Sequence, residues 1–276
     1  MCSPAELRAR NRALYTGRQN MVQGIISKSV FILLLTVQAS RAESLVQEWK
    51  IRMAGLPAAQ ASLTFNITPT TYVLHMSARM AGPLSMLFSW KNESESSGLI
   101  TRNGILVQSH GISNKWQDKT SNFLLNYSLE GNLTGRVDTP PLAEALPPPD
   151  PVLASGTQDF LSALVAGGLF ISRNDACPKV MPVHDGRRRY DVAITDAGMD
   201  NINGQPARHC RMDISPFTPE GGKRPKGWFW KRNGKGKRPD PINIWMAQNP
   251  TTGIAVPVKC TFTSDVGDVE MLLNRQ

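Results

Sequence analysis

The chain has 276 residues, of which 41% are hydrophobic, 7% aromatic and 19% charged, and its formal net charge is +9. This composition is too apolar and too weakly charged for a disordered chain, and the 22 Gly and 20 Pro follow no fixed period, which excludes collagen. The length fits one large domain or two small ones.

Residues 1–42 have the three parts of a leader with a secretory signal peptide. Six basic residues against one acid give this segment a net charge of +5, and Lys28 precedes its apolar run at 30–37. That run is too short to cross a bilayer as a helix, which takes about 20 residues. Small residues, Ser40 and Ala42, then precede a cleavage point after Ala42. We predict export, with Met21 as a second candidate start; the alternative is a buried strand or short helix of the folded domain.

After residue 43 the hydrophobic pattern has a period of two, which is typical of strands with one buried face. The residues between Pro83 and Trp90 fit either a helical turn or a strand. The predicted strands in this half of the chain are Trp49–Met53, Leu63–Ile67, Tyr72–Met76, Gly98–Ile100, Ile105–Gly111, Ser121–Leu129 and Asn132–Val137.

A proline-rich connector, residues 139–156, then interrupts the strands, because proline has no backbone N–H for a sheet hydrogen bond. Thr157 or Asp159 can cap a following helix, and Gly167-Gly168 is expected to end it. We expect this amphipathic helix to act as a lid or plug. Its apolar residues fall on one stripe: Phe160, Leu161, Leu164 and Val165.

Strands resume after the helix and continue almost to the end of the chain. So many strands with a single helix predict a mainly β fold, in which residues 43–276 form one domain. We predict a strongly curved antiparallel sheet or an incompletely closed barrel, with the amphipathic helix covering the concave side. The predicted strands are Arg189–Thr195, Ala207–Ile214, Ile242–Ala247, Val256–Thr263 and Val269–Leu273.

Three cysteines follow the leader, and export would place them where disulfides persist. Three thiols allow one bridge and one free cysteine. We favour Cys177–Cys210, because Cys210 ends a run that can pair back on the strand after Cys177, and we expect Cys260 to be a small buried residue. The sequence has no Cys-x-x-Cys motif and no histidines at metal-ligand spacing, so we predict neither a metal site nor a cofactor.

The basic segment, residues 221–239, carries a net charge of +8 without any acid, and Trp228, Phe229 and Trp230 lie at its centre. Cations beside aromatic rings suit a membrane interface with anionic headgroups. They also suit nucleic acid, but export argues against that partner. The alternative is a long surface loop that packs a Trp on the sheet. The cationic residues of this segment are Lys223, Arg224, Lys226, Lys231, Arg232, Lys235, Lys237 and Arg238.

The segment Asp185–Asp191 contains three consecutive arginines, which could clamp a phosphate or a carboxylate. In a strand, however, at most Arg187 and Arg189 point together. Asp185-Gly186 is typical of a turn, and we expect the arginines to pair with nearby acids. The sequence has no nucleophile elbow, no His-Glu-x-x-His and no phosphate-binding glycine loop, so it gives an enzyme little support.

Several segments occur together in one combination: Trp49–Leu56, Ser97-Gly98, Asp159–Leu164, Cys177 with Asp185–Asp191, Gly204–Cys210 and Ile244–Ala247. Over residues 45–273 the chain resembles the bacterial exported family catalogued as domain of unknown function 3108. This resemblance implies a Gram-negative periplasmic protein of mostly β structure, and it supports the Cys177–Cys210 pairing. The implied architecture is similar to the curved sheets of periplasmic lipoprotein carriers, and no activity is implied.

These observations together predict a periplasmic, non-enzymatic envelope protein. We expect an apolar ligand such as an acyl chain or lipid, or a partner protein, to bind in the concavity of the sheet, and the basic segment to contact the membrane. The alternatives are a hydrolase acting on envelope polymers, which would need titratable side chains converging in a pocket, and a structural or assembly factor with a filled core.

Overall fold

A computed structural model of the chain describes residues 44–141, 150–186, 188–216, 240–264 and 267–274. Within them, thirteen antiparallel strands form a single sheet in the order β7-β6-β5-β4-β3-β2-β1-β13-β12-β11-β10-β9-β8. The strands are β1 (Ser44–Met53), β2 (Leu56–Ile67), β3 (Thr71–Met80), β4 (Trp90–Thr101), β5 (Gly104–Trp116), β6 (Lys119–Tyr127), β7 (Leu133–Thr139), β8 (Val180–His184), β9 (Arg189–Ile202), β10 (Gln205–Pro216), β11 (Ile242–Gln248), β12 (Ala255–Ser264) and β13 (Gly267–Leu273).

Two helices follow β7: α1 (Pro151–Ala154) and the longer α2 (Phe160–Asn174). Helix α2 packs against β3, β4 and β5 from one half of the sheet and against β12 and β8 from the other half. A sheet can contact one helix from both halves only if it curves around that helix. The mainly β prediction, with a strongly curved antiparallel sheet over one amphipathic helix, is therefore confirmed.

The main core forms between the concave face of the sheet and α2. Phe65 and Leu74, from the alternating runs of β2 and β3, are 1% and 0% exposed, and they belong to one apolar cluster with Leu161 and Val165 of α2. Removing each such side chain from water stabilises the fold by about 1.5–3 kcal/mol. The period of two in the sequence thus identifies the residues that face the helix.

The sheet does not close into a barrel, because its edge strands β7 and β8 do not pair with each other within the described residues. The chain before α2 lies beside both edges. Helix α1 packs against β7, and Gln158 forms a parallel bridge with Val183 of β8. This arrangement, which we call the seam, confirms the incompletely closed barrel.

The predicted end of the helix at Gly167-Gly168 is wrong. Helix α2 continues to Asn174 and ends at Asp175, which has a left-handed φ of 48°. The physical reason lies in packing, because a Cβ atom on Gly168 would come well inside 3.0 Å of the Ala255 carbonyl oxygen of β12. The glycine allows the helix backbone to approach the sheet and does not act as a C-cap.

Other boundaries also differ from the predictions. The prediction that the apolar residues of the helix share one buried stripe is wrong for Phe160, which is 57% exposed. Leu161 and Val165 of this stripe are buried. The predicted strands do not include β8, and β9 extends to Ile202 because a bulge lets it stay paired with β10. The ambiguous stretch after Pro83 splits between a short 3₁₀ turn, Gly82–Met86, and the start of β4.

The predicted disulfide is confirmed. Cys177 and Cys210 are bonded, with their Cα atoms 5.9 Å apart, and Cys260 is free and partly buried on β12. In the part of the chain that the structure describes, no helix has the length and apolarity needed to span a membrane. The leader at 1–42 with Met21, the basic segment at 221–239, most of the connector at 139–156 and Arg187 lie outside the described residues.

Candidate functional site

A network of buried polar side chains surrounds the first turn of α2. Asp159 caps the helix, accepting the Ser162 backbone N–H at 3.0 Å and the Ser162 hydroxyl at 2.5 Å. Ser96 of β4 donates to Asp159 Oδ1 at 2.6 Å, and its oxygen lies 2.6 Å from His110 Nδ1 of β5. Tyr72 of β3 bonds the Ser162 hydroxyl at 2.8 Å. We call these five residues the helix-start network.

Serine, histidine and aspartate also form hydrolytic triads, but the geometry here differs. In a triad the imidazole lies between the other two residues, with one ring nitrogen toward each. In this protein both Ser96 Oγ and Asp159 Oδ1 lie against the same nitrogen, His110 Nδ1, at 2.6 and 3.2 Å. All three side chains are at most 5% exposed. The network therefore fixes the start of the helix against three strands.

Burial determines the protonation of the ring groups in the interior. It lowers the pKa of His110, although the Asp159 carboxylate opposes this effect. It also lowers the pKa of His184, whose Nδ1 accepts the Gly186 backbone N–H at 2.8 Å. Burial raises the pKa of Tyr72, so its hydroxyl remains a hydrogen-bond donor. Both histidines are neutral in the folded protein near pH 7.

A second polar cluster holds the seam. Arg136 of β7 makes a bidentate pair with Asp138, with nitrogen–oxygen distances of 2.7 to 3.1 Å, and donates through Nη1 to the Asp185 backbone oxygen at 2.9 Å. Its guanidinium lies 3.8 Å from the centre of the Phe123 ring. The Tyr190 hydroxyl donates to Asp185 Oδ2 at 3.0 Å. These contacts join the turn after β8 to β6 and β7.

The contacts of this cluster account for most of the charged residues in the segment Asp185–Asp191. Asp185-Gly186 forms the predicted turn, with a φ of +86° at Gly186, and Asp185 Oδ1 accepts the Arg188 backbone N–H at 2.8 Å. Arg189 pairs with Asp191 at 3.0 Å, as expected of an arginine beside acids. The described residues of this segment therefore stabilise the seam.

The convex face of the sheet carries a polar row, which we call the outer strip. Five residues from adjacent strands lie opposite one another in register: Arg52 of β1, Glu270 of β13, Thr261 of β12, Asn243 of β11 and Arg211 of β10. Side chains that are directly opposite point to the same side of a sheet. The next row inward along the same strands includes the buried Ile244 and Cys210, so the outer strip faces away from the core.

An ordered aromatic group borders the outer strip. The Trp245 ring stacks on His209 with 4.3 Å between ring centres, and its Nε1–H donates to Asp200 Oδ2 at 2.7 Å. His209 Nε2 lies 2.9 Å from Asn243 Oδ1. The Lys259 ammonium lies 5.1 Å from the centre of the Trp245 ring on β11. These contacts hold the Trp245 ring in one orientation.

A groove with a volume of about 620 Å³ runs along the strip. Arg52, Arg211, Asp240, Asp268 and Glu270 contribute both charges to its lining. A second cavity of about 470 Å³ shares Arg52 with it and continues over β1 and β2. The strip therefore has the concavity of a binding site, with neither charge sign in clear excess.

Residues 46–274 match the model of a family described as "Protein of unknown function (DUF3108)". The chain belongs to the DUF3108 family. This match confirms the resemblance that the sequence segments carry. The comparison with curated proteins finds no match.

Among solved structures, this DUF3108 chain is similar to a β-barrel-like protein of the domain of unknown function DUF1849 from Brucella abortus. The identity is 11%, the match covers 84% of this chain and 95% of that chain, and the TM-score is 0.48. It also matches a DUF1329 family protein from Desulfovibrio piger ATCC 29098, with 7% identity, 86% of each chain covered and a TM-score of 0.19.

The structure brings together only some of the residues that the sequence singled out. In this DUF3108 chain, Leu161 and Val165 of the predicted lid stripe lie inside the core, whereas Phe160 does not. Within the described part, no three His, Cys, Asp or Glu residues are grouped so that they could hold a metal ion. The outer strip was missed, because its members come from five strands spread between Arg52 and Glu270 and become neighbours only through pairing.

Proposed function

We propose that this protein is a non-enzymatic, exported envelope protein that binds a partner protein through the outer strip. The observation that carries the proposal is the row from Arg52 to Arg211, which lines a groove beside an orientationally fixed Trp245. Tryptophan and arginine are the side chains that most often dominate the energy of protein–protein contacts. A lining with both acids and bases suits a protein surface better than a polyanion.

Export is supported by the disulfide, because such bonds persist outside the cytoplasm. The proposed location is the periplasm of a Gram-negative bacterium. Fusing residues 1–42 to alkaline phosphatase, which needs its own disulfides for activity, tests export. An active fusion is expected, and a fusion beginning at Met21 should be equally active. Inactivity of both fusions would contradict export.

We place binding on the convex face because α2 fills the concave one. Admitting an acyl chain there would require α2 to move, which exposes Leu161, Val165, Leu169 and Ile171, all at most 9% exposed now. Exposing these four side chains costs about 6–12 kcal/mol. The whole stability of a typical domain is about 5–15 kcal/mol. An internal lipid would have to replace nearly all of this burial to keep the domain folded.

Site-specific photo-crosslinking in the source organism tests the proposal. A photoreactive residue at Thr261, in the centre of the outer strip, is compared with one at Thr64 of β2, which also faces outward and is similarly half-buried. We expect one defined protein adduct from position 261 and none from position 64.

The second arm uses the partner identified in that adduct. Arg211→Glu should weaken its binding to the purified protein about tenfold or more, since the substitution reverses one charge in the groove. Equal adducts from both positions, or binding unaffected by Arg211→Glu, would refute the role of the strip.

A further inference from the structure

A patch of exposed apolar side chains lies at one end of the sheet, beside β4 and β5. Met86, Leu87 and Phe88, in the connection between β3 and β4, are 88%, 70% and 41% exposed, and Trp116 at the end of β5 is 46% exposed. Exposing a group of neighbouring apolar side chains to water is unfavourable unless something covers them. We call these four residues the rim patch.

The rim patch is a defined surface, because two connections are held together. The Phe88 and Trp116 rings stack with 6.0 Å between centres, and the Gln117 backbone N–H donates to the Ser89 carbonyl oxygen at 2.8 Å. The 3₁₀ turn that ends at Met86 packs against β2. The side chains of the patch are therefore presented together.

Cations surround the patch. Lys91 and Lys115 lie opposite each other on β4 and β5, and Lys119 lies opposite Trp116. Among the described residues, Lys91 pairs with Glu93 at 2.7 Å, whereas Lys115 and Lys119 form no ion pair. Asp118 is the one acid in the turn between them. The local excess of positive charge complements a negatively charged partner.

The topology shows which connections share the end of the sheet that carries the rim patch. Each strand is antiparallel to its neighbours, so the β1–β2, β3–β4 and β5–β6 connections all lie at one end of the sheet. The opposite end carries the β6–β7 connection with Leu129.

We propose that the rim patch docks the protein on a bilayer that contains anionic lipids. Leu87, Met86 and the two aromatic rings would insert at the level of the headgroups, a depth at which Trp and Phe are favourable. Lys115 and Lys119 would lie against lipid phosphates, where each cation adds to the attraction. None of these side chains belongs to the outer strip, so the docking is a separate proposal from the protein partner.

An environment-sensitive fluorophore tests insertion at a single residue. The protein is produced from the full-length gene with Cys2 and Cys260 replaced by Ser, and NBD is attached at Leu87→Cys or, as the control, at Leu129→Cys. Leu129 is 86% exposed and lies at the other end of the sheet. Vesicles of phosphatidylcholine are used with and without roughly 30% phosphatidylglycerol.

We expect the NBD signal at position 87 to rise and shift to the blue with anionic vesicles, and the signal at 129 to stay unchanged. Leu87→Glu should weaken vesicle binding about tenfold, and Leu129→Glu should not. No binding, or binding without a response at 87, would overturn the proposal. Vesicle binding without a response at position 87 would mean that another part of the chain contacts the vesicle and that the rim patch binds a protein instead. Equal responses at 87 and 129 would also overturn it.

Discussion

Replacing Gly168 by alanine tests whether the glycine pair of α2 serves close packing or helix termination. The added Cβ would lie well inside 3.0 Å of the Ala255 carbonyl oxygen and 3.2 Å from Ile254 Cδ1. A backbone oxygen in a paired strand cannot move aside cheaply, and such overpacking costs about 1–3 kcal/mol. At Gly167 the same Cβ would meet only Met181, at 3.7 Å from its sulfur, which is an ordinary contact.

Intrinsic helix propensity favours alanine over glycine by about 1 kcal/mol at both positions. We therefore expect Gly167→Ala to stabilise the protein by about 1 kcal/mol and Gly168→Ala to destabilise it by up to about 2 kcal/mol. Urea unfolding followed by circular dichroism measures both changes. In thermal unfolding, a stabilised variant should show a higher midpoint temperature and a destabilised variant a lower one, by about 2–4 °C for each kcal/mol. If both variants were stabilised, the close approach of α2 to β12 would be refuted.

Three further predictions follow from the sulfur and imidazole groups. Opening the Cys177–Cys210 bond, whose cysteines are 33 residues apart, should lower the free energy of unfolding by about 3–4 kcal/mol in urea titrations, and an unchanged midpoint would contradict this. Burial lowers the pKa of His110 and His184, so below about pH 6.5 the unfolded chain takes up protons that the folded chain does not. The free energy of unfolding should therefore decrease as the pH is lowered below this value. In urea titrations at several pH values, the free energy of unfolding should decrease less steeply with falling pH for His184→Gln than for the unmodified protein. An equal pH dependence in the two proteins would count against this role of His184. Burial raises the pKa of Cys260 to about 12, so a thiol reagent near pH 8 should label this residue only after denaturation, and rapid labelling of the folded protein would be inconsistent with its burial.

The strands could be predicted because one face of each is buried. Leu63, Phe65 and Tyr72 are inward-facing members of alternating runs, and each is at most 6% exposed. The disulfide could also be predicted from the sequence. Cys177 precedes β8, Cys210 lies on β10, and β9 pairs with both of these strands. Both inferences depend on short-range patterns that survive folding unchanged.

The end of the helix and the outer strip could not be predicted, for two different reasons. A glycine that permits backbone contact with another element has the same local sequence as a C-cap glycine, and only the position of Ala255 separates the two. The outer strip, from Arg52 to Arg211, exists only because five strands pair in one particular register. A shift of one residue in any strand pair would turn its members inward.

The helix-start network uses buried polar side chains to fix the position of a helix on a sheet. Burying the Asp159 carboxylate costs free energy, and its hydrogen bonds to Ser162 and Ser96 offset much of that cost. An apolar residue at 159 would avoid the cost, but α2 could then slide along an apolar sheet face with little penalty. Three strands, through Tyr72, Ser96 and His110, fix where the helix begins. That anchor determines which residue of α2 meets Ala255, and thus why glycine is required at position 168 in particular.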